Sequence, residues 1–170
     1  MAEALDPILP DRIDDLAHRV LSAACTQGVT LATAESCTGG LLASLLTDIP
    51  GCSHAFERGF VVYTDAAKSE LLGVPAEMLR DVGAVSEPAA RAMAEGSLER
   101  STAEVALSIT GWAEAGPRPD QPAGLVHFAC ARRNRSTRHR EERFGDIGRA
   151  RLRLACLETA LTMMLAQLEG

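Results

Sequence analysis

The chain has 170 residues, 46% hydrophobic but only 4% aromatic, and a formal net charge of −6. That length can bury a core as a single domain spanning 1–170, and the acidic balance argues against a nucleic-acid binder. The opening MAEALDPILPDRIDD is acidic where a secretory leader is basic, and no apolar run approaches the ~18 residues of a membrane span. A cytoplasmic protein without membrane contact is therefore expected.

From Asp11 the residues Ile13, Leu16, Ala17, Val20, Leu21 and Ala24 recur at helical spacing, and Gly28 supplies a stop. Residues 30–35 read as a short strand. The turn S-C-T-G-G follows, and then a helix through Leu41, Leu42, Leu45 and Leu46. Residues 59–63 (GFVVY) form a buried strand, and Thr64 can cap a short helix carrying Lys68, Leu71 and Leu72.

Gly73-Val74-Pro75 breaks that helix, and a further short one ends near Gly83. Ser86 with Pro88 opens a helix to about Arg100. A third strand, 105–110, ends in Thr110-Gly111, and the proline-rich stretch 112–123 is a loop. A fourth strand covers 125–131, a solvated edge strand covers 137–144, and a last helix runs from about Gly148 to Leu168. Strands alternating with helices and ending in a hairpin predict an α/β sandwich with a mostly parallel sheet, its core built from Ala, Leu and Val.

Lys68 is the one lysine beside sixteen arginines. Arginine stays protonated, whereas a buried lysine can lose its proton, so Lys68 is a candidate general base. An ordinary lysine pKa of about 10.4 leaves roughly one molecule in 2,500 deprotonated at pH 7. Bringing it to about 7–8 takes about 4 kcal/mol, within reach of burial plus a neighbouring arginine. Tyr63, the one tyrosine, lies five residues earlier.

The chain has no Walker A loop, Ser-x-x-Lys, G-x-S-x-G, G-x-G-x-x-G or H-E-x-x-H. The four histidines are scattered and read as structural or surface residues. The five cysteines are odd in number and form no C-x-x-C, so neither a disulfide framework nor a zinc site is suggested. What remains is Ala34-Glu35-Ser36-Cys37-Thr38-Gly39-Gly40, a strand running through a glycine turn into a helix. Such a turn puts Ser36 at the sheet edge where α/β folds place ligands, and the N–H groups of Thr38, Gly39 and Gly40 can cradle an anion or oxyanion. By itself the segment is equally a tight turn with a serine cap.

A-E-S-C-T-G-G, then Y-x-x-x-x-K, then G-A-V-S-E at 83–87, then a strand ending in T-G, closely resembles the CinA carboxy-terminal domain family over residues 12–168. The resemblance implies a three-layer α/β/α sandwich around a mixed sheet. It also implies an amidohydrolase that converts nicotinamide mononucleotide to nicotinic acid mononucleotide and ammonia. The family's nucleophile maps onto Ser36 and its tyrosine and lysine onto Tyr63 and Lys68. Thr110 with Gly111 matches the strand end, and Arg151 matches an arginine read as the phosphate ligand. No cofactor or metal is implied; the partner is a small nucleotide, and a homo-oligomer is expected.

The pattern departs from the family at Arg58, Glu114, Gln121 and Ile147. The alternative is a non-catalytic nucleotide-binding module or a competence/damage-related protein on the same fold. The six arginines of 132–143 read as a solvated edge that blocks strand addition, not as a nucleic-acid patch. Glu35 is expected to orient the turn or contact Lys68, Cys37 to be packed, and Trp112 to line the pocket or lie on a surface loop.

Overall fold

The computed structural model describes residues 9–116 and 118–170. Helix α1 (Asp11–Gln27) precedes strand β1 (Leu31–Glu35) and helix α2 (Leu41–Asp48). A 3-10 turn at Ser53–Ala55 leads into β2 (Phe56–Val61), followed by α3 (Asp65–Leu72), α4 (Ala76–Val82) and α5 (Glu87–Glu99). Strands β3 (Val105–Gly111), β4 (Leu125–Arg132) and β5 (Arg138–Arg143) precede α6 (Arg149–Glu169). The sequence places the second strand at 59–63; it forms earlier, so Tyr63 lies two residues beyond its end.

The strands make one sheet in the order β2-β1-β3-β4-β5. β1 is parallel to both β2 and β3, while β4 and β5 return antiparallel. The two faces of the sheet differ in side-chain size because alternate residues point to opposite sides. Leu31, Val105, Leu107, Ile109, Val126 and Phe128 join one cluster with α1, α2 and α6. Ala32, Ala106, Ala129 and Ala131 meet Ala90, Ala94 and Leu98 of α5 on the other side. Val62, Leu72, Val74, Leu79 and Met93 continue that second layer beneath α3 and α4. The result is the three-layer α/β/α sandwich.

Local chemistry starts the helices that carry this second layer. The Thr64 hydroxyl accepts from Ala67 N at 3.1 Å to cap α3, and Ser86 accepts from Ala89 N at 3.3 Å to cap α5. α5 then passes α3 so closely that a Cβ built on Gly96 would lie 2.0 Å from the Leu72 carbonyl oxygen. Gly96→Ala is therefore expected to push α3 away and destabilise the fold by about 1–3 kcal/mol, the range for overpacking. Urea denaturation checks this; a gain in stability, as helix propensity alone would give, would show that the close approach does not constrain the packing.

Two expectations from the sequence are corrected. The side chains of Cys25 and Cys52 are paired as a disulfide, with Cα atoms 6.3 Å apart, although 27 positions separate them. Packing of the end of α1 against the 3-10 segment brings them together, which spacing alone cannot reveal. Nor are all the histidines scattered: His127 on β4 and His139 on β5 stack with ring centres 5.3 Å apart and hydrogen-bond at 3.0 Å. Antiparallel pairing of β4 with β5 creates that contact.

The arginine-rich hairpin is tied to its own fold. Arg132 donates to Gln167 O, Arg133 to Ala103 O and Arg138 to Ala166 O. Arg140 and Arg143 pair with Glu142 and Glu141, and β5 is a sheet edge. No helix among the described residues is long and apolar enough to cross a membrane.

Candidate active site

The site grows from the end of β1. Val62 N donates to Glu35 O at 2.8 Å and Ser36 N to Ile109 O at 3.0 Å, so the sheet grips the chain up to the serine. The backbone then reverses: Gly39 N donates to Ser36 O at 3.1 Å, and Gly39 and Gly40 take φ values of 63° and 93°. Those left-handed conformations suit glycine, since a Cβ meets backbone crowding there. Glu35, fully buried, accepts from Leu42 N at 3.0 Å and Ala43 N at 2.8 Å. Its carboxylate satisfies open donors in the first turn of α2, where a negative charge also meets the positive helix end. Glu35 thus orients the turn; Lys68 is held by other groups.

Lys68 is only 1% exposed. Its Nζ donates to Ser36 Oγ at 3.2 Å, to Val62 O at 3.0 Å and to Tyr63 O at 3.2 Å. An ammonium has three donors, so the charged form is fully satisfied. After loss of one proton, two N–H groups can stay on the carbonyls and the lone pair then faces Ser36. Burial lowers the lysine pKa from its ordinary value, against the opposing pull of Asp65 and, less strongly, Cys37. The neighbouring arginine expected to assist that lowering is not among its causes.

Tyr63 enters the site through its backbone and its side chain. Its carbonyl accepts from Lys68 Nζ, and the residue, although 64% exposed, lines the cavity beside Ser36 and Lys68. The strand ends two residues before Tyr63.

A cavity of about 340 Å³ opens above the Ser36–Lys68 pair, a volume at the lower end for small-ligand sites. Its wall includes Ser36, Cys37, Lys68, Thr110, Gly111 and Trp112. Thr110, nearly buried, donates its hydroxyl to Ala84 O at 2.8 Å and so ties β3 to the 83–87 turn. No histidine lines the cavity, and no acidic, histidine or cysteine cluster among the described residues could hold a metal ion. Within this wall, Lys68 is the titratable group hydrogen-bonded to Ser36.

The sequence also matches a family model, the CinA C-terminal domain, over residues 13–168. The chain belongs to the CinA C-terminal domain family. Solved relatives agree throughout the fold. The competence/damage inducible protein CihA of Agrobacterium tumefaciens superposes with a TM-score of 0.92 at 46% identity, covering 96% of this chain and 99% of that one. A CinA superfamily protein of Escherichia coli gives 0.85 at 34% identity, covering 92% and 90%. CinA-like proteins of Akkermansia muciniphila and Chlorobium phaeobacteroides are 54% and 48% identical over 113 and 142 residues. Those matches cover 66% and 81% of this chain but only 27% and 34% of the longer relatives.

In this CinA domain the remaining predicted residues separate. Thr38, Gly39 and Gly40 support the turn and do not line the cavity; the Gly39 N–H is committed to Ser36 O, and the Thr38 hydroxyl is buried without a partner among the described residues. Cys37 is packed in the core while still lining the cavity beside the serine. Arg151 is exposed and lies outside the cavity wall.

Arg149 and Arg153 face the site instead. Arg153 Nε donates to Cys37 O at 3.0 Å, and Arg149 lines the cavity, paired with Glu114 at 3.0 Å. The reason is helical phase: positions four apart share a face, and a residue two along points nearly the opposite way. Arg149, Arg153 and Asp65 were missed by sequence reasoning, and Glu114 was noted there only as a departure from the family pattern. The four-residue spacing of the two arginines at the start of α6 was the signal available for them; nothing local marks Asp65.

Proposed function

We propose that this domain is an amidohydrolase that converts nicotinamide mononucleotide to nicotinic acid mononucleotide and ammonia. The observation that carries this reading is the buried Lys68 ammonium held by two carbonyls, with its third hydrogen bond on Ser36 Oγ. A hydroxyl is a weak nucleophile until a base takes its proton. Neutral Lys68 takes that proton as Ser36 Oγ bonds to the carboxamide carbon. The amide π pair moves onto oxygen, and Cys37, the turn residue lining the cavity after Ser36, offers its backbone N–H to the oxyanion.

As the tetrahedral adduct collapses, the C–N bond breaks and Lys68 returns its proton to the leaving nitrogen, releasing ammonia. Water then attacks the acyl-serine ester, giving its proton to Lys68. The second collapse reforms the Ser36 hydroxyl and frees the carboxylate. Trp112 and the 110–116 segment wall the ring's end of the cavity, and Arg149 serves the phosphate in place of Arg151. Two features support this course: Lys68 Nζ lies 3.2 Å from Ser36 Oγ, and burial lowers the lysine pKa.

The test is ammonia release from nicotinamide mononucleotide by the purified chain, with the acid product identified by chromatography. Stoichiometric ammonia and nicotinic acid mononucleotide are expected. Binding of the mononucleotide without turnover would make the domain a nucleotide-binding module and end the enzymatic reading.

A further inference from the structure

The cavity holds two cations and two carboxylates among its lining residues: Lys68, Arg149, Asp65 and Glu114. Lys68 has no donor to spare, because all three of its N–H groups already have acceptors. Arg149 has donors left. A guanidinium presents five N–H groups, and the hydrogen bond made by Arg149 goes to one oxygen of Glu114, at 3.0 Å. Glu114 projects from the segment after β3 and Arg149 from the first turn of α6, so the pair spans the cavity between separate elements.

Their exposure decides how firmly the pair is closed. The Glu114 side chain is 77% exposed and that of Arg149 40%. Such surface pairs contribute little, because water screens them and both side chains lose rotamer freedom. A phosphate monoester carries about −1.5 to −2 charge and three strong acceptor oxygens, more than one carboxylate offers. A guanidinium fork also matches phosphate geometry in two parallel bonds.

We infer that Glu114 is a built-in counter-ion, displaced from Arg149 when the phosphate of a nucleotide ligand enters the cavity. Without a ligand the guanidinium stays paired with Glu114, and each ligand must exchange one anion for another. Glu114 thereby sets how strongly the cavity prefers phosphorylated over neutral sugars. This rests on the proposed action on a mononucleotide, but ribose 5-phosphate, which has no amide, tests it separately.

The experiment is calorimetric titration of ribose 5-phosphate, with ribose as control, into wild type, Glu114→Gln, Arg149→Ala and the double variant. Glu114 is exposed and its replacement isosteric, so the variant keeps its fold; circular dichroism checks this. Glu114→Gln should bind ribose 5-phosphate about two- to fivefold tighter, the range for losing an exposed competing ion pair. Arg149→Ala should bind it more weakly, and the gain from Glu114→Gln should vanish in the double variant. Unchanged or weaker binding by Glu114→Gln, or a gain that survives without Arg149, overturns the inference. Failure of ammonia release would instead strike the proposed reaction and leave this exchange standing as a binding property.

Discussion

Ser36→Ala is expected to cut ammonia release from nicotinamide mononucleotide to below about a thousandth of wild type, since removing the nucleophile of a serine hydrolase costs up to ~10⁶-fold. Only a hydroxyl is lost. The turn is held by Ser36 backbone contacts to Ile109 O and Gly39 N, so the cavity should persist. Mononucleotide binding, read by calorimetry, should stay within a few-fold of wild type, about 1 kcal/mol or less for one exchanged hydrogen bond. More than about a tenth of the activity surviving would point to direct attack by water and remove the covalent step.

Lys68→Arg should lower turnover by at least about 10²-fold, the low end for loss of a general base. Arginine keeps the charge but gives up no proton near neutral pH. Because Lys68 is 1% exposed, a longer planar group can also fail to pack, so Lys68→Met provides a second measurement of similar length without nitrogen. Both variants should lose activity; near-normal rates in either would dismiss Lys68 as the base.

The pH dependence has a definite sign. Burial lowers the Lys68 pKa below the ordinary 10.5, so at low pH the lysine is protonated and cannot accept the serine proton. Turnover should therefore rise with pH through an apparent pKa below 10.5, and the rising limb should disappear in Lys68→Met. A rate that is flat or falls across that range would contradict the assignment.

Ser36 and Lys68 stood out early as candidates because their signals are chemical and local. A single lysine among sixteen arginines stands out without any knowledge of the fold, and A-E-S-C-T-G-G marks a strand, a turn and a helix within seven residues. The third and fourth strands, read at 105–110 and 125–131, likewise form within one residue of those bounds. Leu107 and Ile109 face one layer while Ala106 and Ser108 face the other, as a period of two requires.

Side-chain direction was a different matter. Tyr63 was read as a partner of Ser36; with the strand stopping at Val61, its carbonyl holds Lys68 and its exposed side chain lines the cavity. Arg151 was read as the phosphate ligand, but α6 begins at a phase that aims Arg149 at the cavity. The Cys25–Cys52 and His127–His139 pairs depend on elements that meet only after folding.

The sequence by itself determined the elements, their order and the candidacy of Ser36 and Lys68, because helix and strand periodicities and a residue's proton chemistry arise within a few neighbouring positions. Tertiary structure alone decided the strand order, the Tyr63 carbonyl on Lys68 and the Glu114–Arg149 pair across the cavity. Those depend on where a strand ends, at what phase a helix starts and which distant surfaces are pressed together, and such quantities are set by packing over the whole chain.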